Sequence, residues 1–122
     1  YLMVAERQYK DKTLQGNYNV GPDEKDCLTT GELVSLFCDQ WNEAMRTATT
    51  WENRSDHGPH EANFLKLDCS KMKRTFGWKP QWDVRTAMHK IIEWNQEYLS
   101  GGSVLDCMDR QIGEFENSIG GN

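Results

Sequence analysis

Nowhere in these 122 residues do apolar side chains run on for the roughly eighteen positions that a membrane-spanning helix needs, and no signal-peptide pattern opens the chain. Positive charge is short as well. Fourteen Lys and Arg stand against nineteen Asp and Glu, a net charge of −5, with the two signs interspersed. Such a chain offers no basic face to DNA, RNA or an anionic membrane, although local donors can still hold a phosphate. Glycine-rich phosphate cradles are missing: neither G-x-G-x-x-G nor G-x-x-x-x-G-K-[ST] occurs. No Tyr-x-x-x-Lys pair is present to lower a tyrosine pKa for proton transfer. Cys27, Cys38, Cys69 and Cys107 are widely spaced without a C-x-x-C, which predicts buried, reduced thiols and a cytoplasmic setting rather than a disulfide framework. Repeats and low-complexity tracts are absent too.

What is present reads as one soluble globular domain. The chain is 37% apolar and 27% charged, ordinary values, with an unusually high five tryptophans. Residues 1 to 10 read as the end of a helix with Leu2, Ala5 and Tyr9 on one face. The chain starts at Tyr1 without a Met and without a capping residue, and a helix without an N-cap leaves orphan amides. That start predicts a chain cut from something longer, with Tyr1, Leu2 and Val4 as apolar surface left open.

Tyr18-Asn19-Val20 reads as a short strand ended by Gly21-Pro22-Asp23. Thr29 and Glu32 fit a capping box, and Leu33, Val34, Phe37, Trp41 and Met45 recur at helical spacing behind it. Ala48-Thr49-Thr50-Trp51, β-branched and aromatic, reads as a second strand. Asp68 heads a short helix over 69–76, closed by Gly77 and barred from continuing by Pro80. Asp83 caps a helix whose Val84, Ala87, Met88, Ile91, Trp94, Asn95 and Tyr98 share a face, before Gly101-Gly102. Leu105, Met108, Ile112 and Phe115 make a final amphipathic helix. The predicted class is therefore α/β, a small and mostly helical lobe with a few short strands, too few for a self-sufficient sheet. The tryptophans are expected in or near the core, and the Lys71, Lys73 and Arg74 cluster on a solvated helix face.

The chemistry concentrates in one stretch, Asp56-His57-Gly58-Pro59-His60-Glu61. Two histidines three apart with flanking carboxylates suit zinc or nickel, but Gly-Pro argues against the helix that would align them, and His89, the remaining histidine, lies mid-helix. A solvated loop without a role and a ligand-contacting loop are the other readings. The last fits best, because a polar loop between structured segments suits hydrogen bonding to a bound polar molecule. No catalytic constellation stands out: adjacent His60 and Glu61 point apart in extended chain, and no cysteine has a histidine near it in sequence.

Two stretches carry a resemblance. "GNYNVGPDEKDCLTTGELVSLF" resembles the YN(I/V)G segment, with its following Ser or Thr and Glu-Leu or Glu-Ile, of extended short-chain dehydrogenase/reductase proteins that act on nucleotide sugars, the NAD-dependent epimerase/dehydratase superfamily. "HEANFLKLDCSKMKRTFGWKPQWDVRTAMHKIIEW" is similar to the LD-SK-GW-P ending of that group, and its wording is most similar to the CDP-glucose 4,6-dehydratases. The resemblance covers roughly residues 1 to 115 and only the C-terminal part of such proteins. It implies a substrate-holding lobe, normally packed on an N-terminal Rossmann domain that binds NAD and is missing from this chain. The intact protein would be a lyase of bacterial surface-sugar biosynthesis, a homo-oligomer, with this lobe catalytically silent. Carried over by position, Leu28 and Thr29 line the nucleotide end of the site from one side, and His57, His60 and Glu61 from the other. Relatives acting on dTDP-glucose carry an arginine about where His57 stands, so diphosphate pairing there is in doubt. Another dehydratase or epimerase of the superfamily and a free-standing binding domain are the alternatives.

Overall fold

In the computed structural model, which describes residues 1–54 and 66–120, the described backbone consists of helices joined by irregular chain. Helix α1 spans Leu2–Lys10, α2 Thr30–Met45, α3 Ser70–Phe76, α4 Val84–Ser100 and α5 Val104–Gly120, with 3-10 turns at Lys12–Leu14 and Glu24–Asp26.

The helix ends follow the sequence closely. At α2 the Thr29 hydroxyl accepts from the Glu32 amide while the Glu32 side chain takes the Thr29 amide at 2.8 Å, a complete capping box. Asp83 accepts from the Thr86 amide at 2.8 Å and so caps α4. Helix α3 begins one residue later than expected, with Cys69 in the cap position and Asp68 accepting from the Ser70 amide. It ends at Gly77, φ 65, in the left-handed conformation that glycine adopts at little steric cost. Helix α1 has no side-chain cap, as its sequence implies.

Both predicted strands are absent: no residue among those described is in a sheet. Residues 18–20 and 48–51 have no regular secondary structure, and at Thr49 the groups a ladder would use are taken by a side chain. Asn42 Oδ1 accepts from the Thr49 amide at 2.6 Å and Asn42 Nδ2 donates to the Thr49 carbonyl at 2.9 Å. Beside residues 18–20, the contact to Asp68 is made by the Asn19 side chain rather than by backbone. Strand propensity without a paired partner gives extended chain and nothing more.

Two clusters hold the helices. In the first, α4 lies between α2 and α5 and packs on both. Ile92, fully buried, sits on that middle helix, with Leu36 and Cys38 buried on α2 and Cys107 on α5. In the second, α3 buries Met72 and Phe76 beside Cys69, with Tyr18 edge-on to Phe76 at 4.9 Å. Arg7 of α1 donates to the Phe76 carbonyl, placing a cation at the negative end of α3. The Asp23–Lys73 ion pair and the Val84 amide on Asp26 Oδ1 connect the clusters. All four cysteines are free, three of them buried.

Several faces differ from expectation. On α1, Tyr1 and Leu2 are open as expected and Tyr9 is exposed with them, whereas Val4, expected open too, is half-buried. On α4 the buried residue is Ile92, while Ile91 is half exposed. On α2 the expected stripe is only partly covered, its Phe37 and Trp41 stacking on each other at 5.5 Å. No tryptophan is fully buried. The Lys71–Arg74 face is not simply solvated: Lys71 donates to the Asn17 carbonyl at 3.1 Å and stands 4.4 Å over the Tyr18 ring, and Lys73 pairs with Asp23.

Candidate functional site

Leu28, the first of the sequence-derived site residues, lines an open cleft of about 440 Å³ on the N-terminal half of α2. Gly31, Glu32, Ser35, Leu36 and Asp39 form one wall, and Arg85 of α4 stands opposite. The two helices are joined there by Gln40 Nε2 donating to the Arg85 carbonyl at 3.2 Å. Trp51 contacts two of these residues: its indole nitrogen donates to Ser35 Oγ at 3.0 Å and its ring lies over Gly31. A Cβ at Gly31 would come within 3.3 Å of that ring, so glycine is what lets the indole approach the helix.

Chemically the cleft is a mixed polar surface with an apolar rim, suited to holding rather than reacting. Arg85 is its cation, Asp39 and Glu32 its acids. The Glu32 carboxylate is occupied; the hydrogen bond from the Thr29 amide, then that from the Thr29 hydroxyl, holds its pKa below the ordinary carboxylate value. Thr29 therefore has its hydroxyl engaged on both sides by the cap. Replacing Thr29 by alanine is expected to lower unfolding stability by about 1 kcal/mol, whereas Thr29→Asn, itself a good cap, leaves it nearly unchanged. Urea melts of the two variants check this.

His57, His60 and Glu61 lie outside the described residues. The described chain on either side of them is anchored near Leu28: Trp51 on Ser35, and Lys66 to Glu24 at 2.9 Å. Sequence reasoning did not single out Arg85 or Asp39, which come to the cleft from helix faces whose residue types read as ordinary solvated charge. Among the described residues, no group of three or more His, Cys, Asp or Glu is placed to hold a metal ion, and none of the helices described is long and apolar enough to cross a membrane. Among the described residues there is no strand turning through glycines into a helix N-terminus.

No family model matches the chain. Over 117 residues it is 32% identical to the CDP-glucose 4,6-dehydratase of Salmonella typhimurium, a match covering 94% of this chain and 31% of that protein. The chain is related to CDP-glucose 4,6-dehydratase. It spans about a third of the length of that relative. The helices, the capping box and the cleft at Leu28 all fall within a chain matched almost from end to end, so the relation extends over the described fold and not over a short motif.

Proposed function

We propose that this chain is the C-terminal, nucleotide-sugar-holding lobe of a CDP-glucose 4,6-dehydratase, the lyase that converts CDP-glucose into CDP-4-keto-6-deoxyglucose and water. The observation that carries this is the 32% identity maintained across 94% of the chain. An upstream Rossmann domain binds NAD and supplies the redox chemistry, and the lobe alone is catalytically silent. The protein works in the cytoplasm, on bacterial surface-sugar precursors, as a homo-oligomer.

The lobe's part is to hold the nucleotide end of the substrate. Leu28 gives an apolar contact at the mouth of the cleft, and Thr29 fixes the turn that presents it. His57, His60 and Glu61 hydrogen-bond the nucleotide from a segment whose two described flanks are tied to residues 24 and 35. Imidazole and carboxyl groups have donors and acceptors that suit base edges and ribose hydroxyls.

Isothermal titration of CDP-glucose into the complete protein carrying this chain tests the reading. The combined His60→Ala and Glu61→Ala variant is expected to bind about tenfold more weakly, the loss of one or two hydrogen bonds. Unchanged affinity would remove both residues from the site. Tighter binding of a dTDP-, UDP- or GDP-sugar would move the protein to another dehydratase or epimerase of the superfamily. A gene with no dinucleotide-binding segment ahead of Tyr1 would end the reading.

A further inference from the structure

The outer face of α5 is apolar, regular and open. Leu105, Met108, Ile112, Phe115 and Ile119 follow one another at spacings of three, four, three and four, the repeat of a helix that packs along another helix. Their exposures are 70, 45, 54, 38 and 54%. Helix α5 meets α4 along an adjoining side, where Cys107 is buried and Gln111, on the flank of the seam, donates to the Lys90 carbonyl, and the described helices leave much of the seam itself exposed. Beside it, Trp82 stands edge-on to Phe115 at 5.2 Å. Between Trp82 and the seam runs an apolar groove of about 310 Å³, lined by Met108, Gln111, Ile112 and Phe115.

We infer that this seam pairs with the same seam of a second copy of the chain, the two α5 helices running parallel. Area is the first argument. At on the order of 200 Å² for a large side chain, the exposed parts of the five residues amount to roughly 500 Å² per copy. The pair then reaches about 1,000 Å², where specific interfaces begin. Geometry is the second. A seven-residue repeat matches itself, and the groove beside Trp82 gives a partner's Met or Ile side chain a hole to enter. Charge decides the orientation. One flank of the seam carries Asp109 and Glu116, the other Gln111 and Ser118. Parallel pairing sets each acidic flank against the partner's neutral one, whereas antiparallel pairing sets acid against acid.

Sedimentation velocity of the chain over a wide concentration range is expected to show a monomer–dimer equilibrium. Ile112→Lys should weaken it by about tenfold or more, since the residue is central to the seam, with far-UV circular dichroism unchanged. Met108→Lys serves as a second variant should the first lose its helicity. For orientation, Leu105→Cys in a Cys27→Ser background should form a covalent dimer on mild oxidation, because parallel seams bring the two Leu105 positions together. A chain that stays monomeric at every concentration would overturn the inference and leave the seam to some other surface; so would a dimer indifferent to both lysine substitutions. A persistent dimer in which the introduced thiols stay unlinked would overturn the parallel orientation. No nucleotide sugar enters these measurements, so their outcome is separate from that of the dehydratase reading.

Discussion

Ile92→Ala is expected to destabilise the chain by about 3 kcal/mol, read as a lower urea midpoint with the slope preserved. Ile92 is fully buried, on the one helix that packs against both α2 and α5, so the space left by its missing carbons opens where three helices depend on each other. Among the described residues only seven hydrophobic side chains are buried, and a core this thin has little packing to take up the gap. A domain of this size has a total stability of about 5–15 kcal/mol. One truncation therefore removes a large share of it. Ile91→Ala, one position along and half exposed, should cost well under half as much. Equal losses at the two positions would contradict the placement of α4.

Lys90→Ala is the second large effect, because it breaks the polar clamp between α4 and α5. Lys90 keeps only 14% of its side chain exposed. Its ammonium lies 2.9 Å from Glu93 on its own helix and 2.5 Å from Glu114 on α5. Gln111 adds a hydrogen bond to Glu93 at 3.1 Å, and His89 stands 3.7 Å from its other oxygen. Burial acts to raise the pKa of Glu93, but the hydrogen bonds from Lys90 and Gln111 outweigh it, leaving the group below its ordinary 4.5. For Lys90, burial acts to lower the pKa, but Glu114 and Glu93 prevail and hold it above 10.5.

The pH signs follow from these directions. A depressed carboxylate contributes stability that is fully present above its unfolded pKa and is lost as pH falls through the folded one. A raised lysine contributes stability present below its unfolded pKa and lost as pH rises through the folded one. The clamp is therefore at full strength between about pH 4.5 and 10.5, the two ordinary values. Removing Lys90 takes the shared ammonium from Glu93 and Glu114, leaving His89 at 3.7 Å from the first and Arg110 at 4.0 Å from the second, a loss of about 2 kcal/mol at neutral pH once solvent access to Glu114 is allowed for. The variant should also lose the part of the acid sensitivity that comes from Glu93. Urea melts at neutral pH and near pH 3 measure both, and a variant as acid-sensitive as the parent would show that the clamp does not act on stability.

Local signals in the sequence were reliable because each is settled within a few residues. Thr29 with Glu32, Asp83 with Thr86, and Gly77 behind α3 all concern groups three or four positions apart, so the helices begin and end where composition says. The strands failed for the complementary reason. Val20 and Thr49 favour extended chain, yet a strand also needs a neighbouring backbone, and in the structure Asn42 takes the hydrogen bonds of Thr49 instead. Faces failed similarly. Periodicity shows that α5 has an apolar stripe at Leu105, Met108, Ile112 and Phe115, but not that α4 would meet the helix along Cys107, Gln111 and Glu114 instead. The relation to a nucleotide-sugar dehydratase was legible in the wording around Leu67-Asp68 and Gly77-Trp78. The pairing of Leu28 with Arg85 across one cleft was not, because residues so far apart in the chain meet only when α2 and α4 pack.

The sequence alone determined the helix positions, their caps, the acidic surface and the kinship. These rest on short-range hydrogen bonding and on residue order, which need no knowledge of the fold. Tertiary structure alone decided which side of each helix is covered, that residues 18–20 and 48–51 stay out of a sheet, and that Arg85 joins Leu28 in one cleft. Burial depends on which surfaces meet, and that is settled only when distant parts of the chain compete for the same apolar contacts.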